Sequence, residues 1–173
     1  MAEQANNPRL ISKQAMSAMA STSGTSGETV HEIFTKINNA KDKPKKIKVL
    51  QENDTPGLRL VLKGAFDPKI EWAMPNGVPP FMANEAPIGT EHSLLENESK
   101  KLWHFIKGAD NRTNKTQKEN MFIQILEALH KDEADVLINT KDKKLNKVYK
   151  GLSESVVRTA FNWDENFVKL DAK

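Results

Sequence analysis

A chain of 173 residues, 28% charged and 38% hydrophobic with a mean hydropathy of −0.62, has the composition of one polar globular domain plus a tail. Cysteine is absent, which excludes disulfides, thiolate catalysis and cysteine-ligated zinc or iron–sulfur centres, and fits a reducing, cytoplasmic setting. No apolar run approaches the ~20 residues that span a bilayer, so no membrane partner is expected, and a net charge of +3 names no acidic partner by itself.

Residues 1–27 are rich in Ala, Ser, Thr, Gly and Met and poor in large apolar side chains. Such a segment cannot offset its ordering entropy alone, so an N-terminal arm is expected that is disordered or ordered by a partner. Residues 28–173 read as a single helical domain. Thr29 and Glu32 form a capping box before Val30, Ile33, Phe34 and Ile37 at helical spacing. Pro44 suits the first turn of a second helix carrying Ile47 and Leu50. Asp54-Thr55-Pro56 opens a third, with Leu58, Val61, Leu62, Ala65 and Phe66, that stops before Asp67-Pro68.

Residues 66–89 contain five of the eight prolines (Pro68, Pro75, Pro79, Pro80, Pro87), so no long helix crosses them. Ile70, Trp72, Met74, Val78, Phe81 and Met82 lie there too, more apolar surface than a solvated linker carries. An ordered connection is expected, either packed on the core or offering Trp72, Pro79, Pro80 and Phe81 to a protein partner. Beyond it, Thr90 is placed to cap a longer helix through Leu94, Leu95, Leu102, Trp103 and Ile106, closing at Gly108. Thr116 and Glu119 read as a capping box for the strongest helix, with Met121, Phe122, Ile125, Leu126 and Leu129. Asp132 to Asn139 reads as another helix, residues 147–152 as a brief extended piece, and Ser153 as the cap of a last helix. The fold class is therefore all-α: a compact bundle of six or seven short helices. Phe34, Phe66, Trp103, Phe105, Phe122 and Phe161 are assigned to its core.

Catalytic signatures are absent. There is no G-x-S-x-G, S-x-x-K, Walker or dinucleotide glycine motif, and His31, His92, His104 and His130 show no metal-ligand spacing. His130, at a helix end, suits the negative end of the dipole as a cation. The expectation is a non-enzymatic protein with no cofactor and no metal. Phosphate-binding chemistry is left to three basic segments, residues 41–50, 100–118 and 141–150. Lys45, Lys46, Lys48, Arg112, Lys115, Lys118, Lys143 and Lys144 are the candidate contacts, with solvated lysines on scattered faces as the simpler reading. With only four arginines in the chain, contact without sequence readout is the form expected.

The run Gly64-Ala65-Phe66-Asp67-Pro68, then Ile70-Glu71-Trp72, Pro75 and Gly77-Val78-Pro79-Pro80, resembles an uncharacterised family of small proteins of contractile-tailed bacteriophages. Phe105-Ile106-Lys107-Gly108, Phe122-Ile123-Gln124-Ile125-Leu126-Glu127 and Lys141-Asp142-Lys143-Lys144-Leu145 extend the resemblance over residues 45–165. It implies a phage origin, with the host cytoplasm or the virion as location, and transfers no site residue. The function expected is an accessory protein binding a macromolecular partner, a phage or host protein or nucleic acid, in phage nucleic-acid metabolism. The alternative is a virion or assembly component that uses the N-terminal arm for subunit contacts.

Overall fold

The computed structural model describes residues 28–87 and 92–170. The expected arm at 1–27 and the expected Thr90 cap lie outside them. Among the described residues the fold is all-α, with eight α-helices, one 3₁₀ helix and only isolated β-bridges. No helix among them is long and apolar enough to cross a membrane.

Helix α1 (Val30–Asn39) starts on the expected capping box: Thr29 Oγ1 accepts from the Glu32 N–H and Glu32 accepts from the Thr29 N–H. Its buried stripe is Val30, Ile33, Phe34 and Ile37. Helix α2 (Lys43–Glu52) is capped by Asp42, with Pro44 in its first turn. Helix α3 (Pro56–Phe66) is capped by Thr55 and ends at Asp67, as the Asp67-Pro68 signal requires.

The single helix expected up to Gly108 does not form. In its place stand a four-residue helix α4 (Leu95–Glu98) and a 3₁₀ helix (Ser99–Phe105). Ser99, Leu102 and Phe105, the buried residues of the latter, recur every third position, and a three-residue turn keeps such a row on one face where an α-turn would rotate it away. Trp103 falls off that row and is half exposed, contrary to its core assignment.

Helix α5 (Lys115–Ala128) begins earlier than expected. Asn114 and Gln117, not Thr116 and Glu119, make the capping box. Helix α6 (Lys131–Lys141) follows with His130 as its N-cap; the ring Nδ1 accepts from the Asp132 N–H at 3.2 Å. His130 therefore opens a helix as an acceptor rather than closing one as a cation. In place of the extended piece at 147–152, a short helix α7 (Leu145–Val148) runs into a turn, and Ser153 caps α8 (Glu154–Phe161) as expected. The chain past α8 folds back: Asn162 takes a left-handed conformation, and Trp163 and Phe167 bury against the core beside Phe161.

Helix α6 is the centre. It packs on α1, α3, α4, α5 and α7, while α2 and α8 close one side against each other. Glu133 of α6 is buried, and its carboxylate accepts from the Val30 N–H at 2.9 Å and the Leu95 N–H at 3.0 Å. One side chain thus satisfies the first turns of both α1 and α4, and α4 has no cap of its own. Burial raises this carboxyl above its usual range, opposed by those two hydrogen bonds.

Candidate functional site

The proline-rich connection is fastened to the domain along its length. The Trp72 indole lies on α3 at Gly64, where Nε1–H donates to the Gly64 carbonyl at 3.0 Å. A Cβ at position 64 would sit 2.9 Å from the ring, so only glycine allows this approach. The backbone at 71–73 pairs with the end of the 3₁₀ helix, through Ala73 N–H to Phe105 O (2.7 Å) and Lys107 N–H to Glu71 O (2.8 Å). Further on, Met82 N–H reaches Glu127 and Lys131 N–H reaches Asn84 O.

The strongest fastening is Lys141, whose side chain is 2% exposed. Its ammonium donates to Pro75 O (2.7 Å), Gly77 O (3.1 Å) and Asp142 Oδ1 (2.5 Å), so all three of its protons are used. Asp142 in turn accepts the Gly77 N–H at 3.1 and 3.2 Å. The stretch packs on the core only in part: Trp72 and Phe81 are half-buried against it, Pro79 lies partly in, and Pro80, Val78 and Met82 face out.

This arrangement leaves two apolar clefts of ≈ 330 Å³ each. The first lies beneath Pro75 to Pro80, floored by Phe122 and Ile123, with Lys141 in its wall. The second lies between α3 and the 3₁₀ helix, formed by Leu60, Ile70, Trp72, Leu102, Trp103 and Ile106. Leu60 (46%) and Trp103 (50%) stand half exposed at its mouth, and Trp103 stacks on His104 with ring centroids 3.8 Å apart. His104 Nδ1 lies 2.7 Å from Asp110, whose carboxylate also accepts from the Arg112 and Thr113 N–H groups. The hydrogen bond with His104, followed by those from Thr113 and Arg112, holds the Asp110 carboxyl well below the usual carboxylate range.

The eight candidate phosphate contacts are not gathered into one patch of free charge. Lys45, Lys48 and Lys115 pair with Asp42, Glu52 and Glu119 at 3.6, 3.7 and 3.9 Å. Lys118 donates to the Asp110 carbonyl and Lys143 to the Asp67 carbonyl. Burial lowers the Lys143 ammonium below its ordinary value. Only Lys46, Arg112 and Lys144 among the eight have no side-chain hydrogen bond or ion pair to the described residues.

Three of the four histidines come together, which their sequence spacing did not show. His31 on α1 and His130 both face Asp132, with His31 Nε2 and His130 Nδ1 at 3.8 and 3.6 Å from Oδ2, and His92 packs edge-on to His130 at 5.1 Å. Tyr149 Oη lies 2.7 Å from His31 Nδ1. Burial, then the neighbouring acids, pushes the Tyr149 hydroxyl up to about 12, so it stays protonated. Among the described residues, no three His, Asp or Glu side chains are spaced to hold a metal ion. No signal in the sequence marks this cluster, because its members join through the packing of α1 on α6.

The fold is a small helical domain with apolar clefts on its surface. The family described as DUF6433, a family of unknown function, matches residues 33–147, and the chain belongs to it. No curated protein and no solved structure matches the chain.

Proposed function

We propose that the protein is a non-enzymatic accessory module that docks a partner protein on the face formed by α3, Trp72 and the 3₁₀ helix. The observation that carries this reading is Trp103: a large aromatic held half exposed by a rigid, hydrogen-bonded scaffold, beside a preformed apolar cleft. Aromatic anchors of this kind, fixed before binding, give affinity at low entropic cost. Phage nucleic-acid metabolism is the setting that the resemblance suggests.

The lysine segments are the weaker basis for a partner, since five of the eight candidates are already engaged. Lys46, Arg112 and Lys144 favour a second contact, to nucleic acid, made without base readout. Affinity capture from phage-infected cells with wild type, Trp103→Ala and Leu60→Asp tests the main reading. A protein held by wild type and lost from both variants is expected; capture that neither substitution weakens overturns it. Titration of fluorescent DNA and RNA at ~50 and ~200 mM salt tests the second contact, which salt-insensitive binding or none removes.

A further inference from the structure

The apolar groove beside Trp103 has a charge pattern that specifies more than a greasy partner. Two lysines stand at it, Lys63 from α3 and Lys100 from the 3₁₀ helix, and no Asp or Glu lines it. Neither ammonium has an ion pair or hydrogen bond among the described residues. The surrounding cations differ: Arg59 is doubly hydrogen-bonded to Asp54, Lys101 pairs with Glu98 at 2.9 Å, and Lys107 pairs with Glu71 at 3.3 Å.

Two of the nearby acids are committed as well. Glu98 also accepts from the Ser93 hydroxyl, and Asp110, one residue past Ala109 of the groove, is turned inward to His104 and its own loop. The groove therefore keeps two free positive charges over an apolar floor, while Arg59, Lys101 and Lys107 beside it are paired with the chain's own carboxylates. An apolar occupant alone would leave both ammonium groups without counter-charge at a partly desolvated rim. A second cleft shares Leu60 and Lys63 with the groove and continues over Pro56, Trp163 and Phe167, its one acid, Asp54, doubly hydrogen-bonded to Arg59, and two joined clefts suit a peptide segment better than a small molecule.

Resting on the docking function above, we infer that this groove takes an acidic amphipathic segment of a partner protein. Its apolar side chains would seat against Leu60, Ile70 and Trp103, and its Asp or Glu side chains would meet Lys63 and Lys100. Such a pairing gives specificity and faster association, with affinity that falls as salt rises.

Selection of a random-peptide display library on the full chain, with counter-selection on Trp103→Ala, tests this. Enriched peptides are expected to combine Asp or Glu with Leu, Ile, Phe or Trp. A synthetic copy of the strongest should bind about tenfold more weakly to Lys63→Glu/Lys100→Glu, and more weakly at ~200 than at ~50 mM salt. Both lysine side chains reach solvent, and a matching thermal unfolding curve for the double variant shows that charge, not folding, was changed. Peptides without acidic enrichment, or binding indifferent to the two reversals, overturn the inference while leaving the docking face intact. No peptide enriched over Trp103→Ala overturns it as well, and the capture experiment then decides the docking reading separately.

Discussion

The two clefts flanking the Trp72 segment have nearly the same volume and both carry lysine, yet the lysines do opposite things. In the cleft under the prolines, Lys141 is buried and its three protons meet two backbone carbonyls and a carboxylate. It is part of the scaffold. In the groove beside Trp103, Lys63 and Lys100 have no such acceptors and remain open to a partner. Acceptor geometry, not residue type, separates a structural lysine from a free one: a proline-rich loop presents free carbonyls, because its residues lack ladder partners, and a helix surface presents none.

Breaking the first cleft should give the largest effect. Lys141→Met leaves Asp142 and the Pro75 and Gly77 carbonyls without their cation, and a loss of about 3–5 kcal/mol in denaturant unfolding is expected. Lys63→Met and Lys100→Met should stay within about 0.5 kcal/mol of wild type. Equal effects at all three lysines would dissolve the contrast.

The tryptophans sharpen it next. Trp72→Ala removes a ring packed on α3 and its hydrogen bond to Gly64, and should lower stability by about 3–4 kcal/mol. Trp103→Ala should cost about 1 kcal/mol or less, since half the ring already faces water. Gly64→Ala falls between the two, because the new methyl pushes on the Trp72 ring; about 1–2 kcal/mol is expected, with perturbed tryptophan fluorescence.

The last prediction concerns pH. The Asp110 carboxyl is held low in the folded chain, so its contribution is present above the unfolded carboxylate value near ~3.9 and is lost as pH falls through the folded one. The stability advantage of wild type over Asp110→Asn should therefore shrink as thermal unfolding is followed from neutral pH into the acid range below about 4. An advantage that grows on acidification would show that Asp110 is not held as His104 and the loop amides imply.

Glu133 has the opposite sign. Its raised carboxyl contributes stability below the unfolded value near ~4.3, lost as pH rises through the folded one, so wild type should weaken relative to Glu133→Gln over that rise.

Local chemistry makes much of the fold legible in the sequence. The Thr29–Glu32 box, Pro44, Thr55-Pro56 and Ser153 each act within one helical turn, and α1, α2, α3 and α8 begin where those residues place them. Errors arose where two local signals competed: Asn114–Gln117 lies two residues before Thr116–Glu119, and only the placement of the loop at Asp110 selects between them. The segment after residue 92 misled for a different reason. Its apolar residues fit an α-helix in sequence, but burying Ser99, Leu102 and Phe105 in one row required a tighter turn.

The site was the less legible part. The sequence marked 66–89 as an ordered connection, because prolines and large apolar side chains act through local backbone limits and burial, but left open whether Trp72 packs on the core or faces a partner. The open groove, the free Lys63 and Lys100, the buried Lys141, the approach of His31 to Asp132 and the packing of His92 on His130 depend on which distant groups each side chain meets. Those distances are set by the packing of α3, α6 and the 3₁₀ helix, and residue spacing along the chain does not contain them.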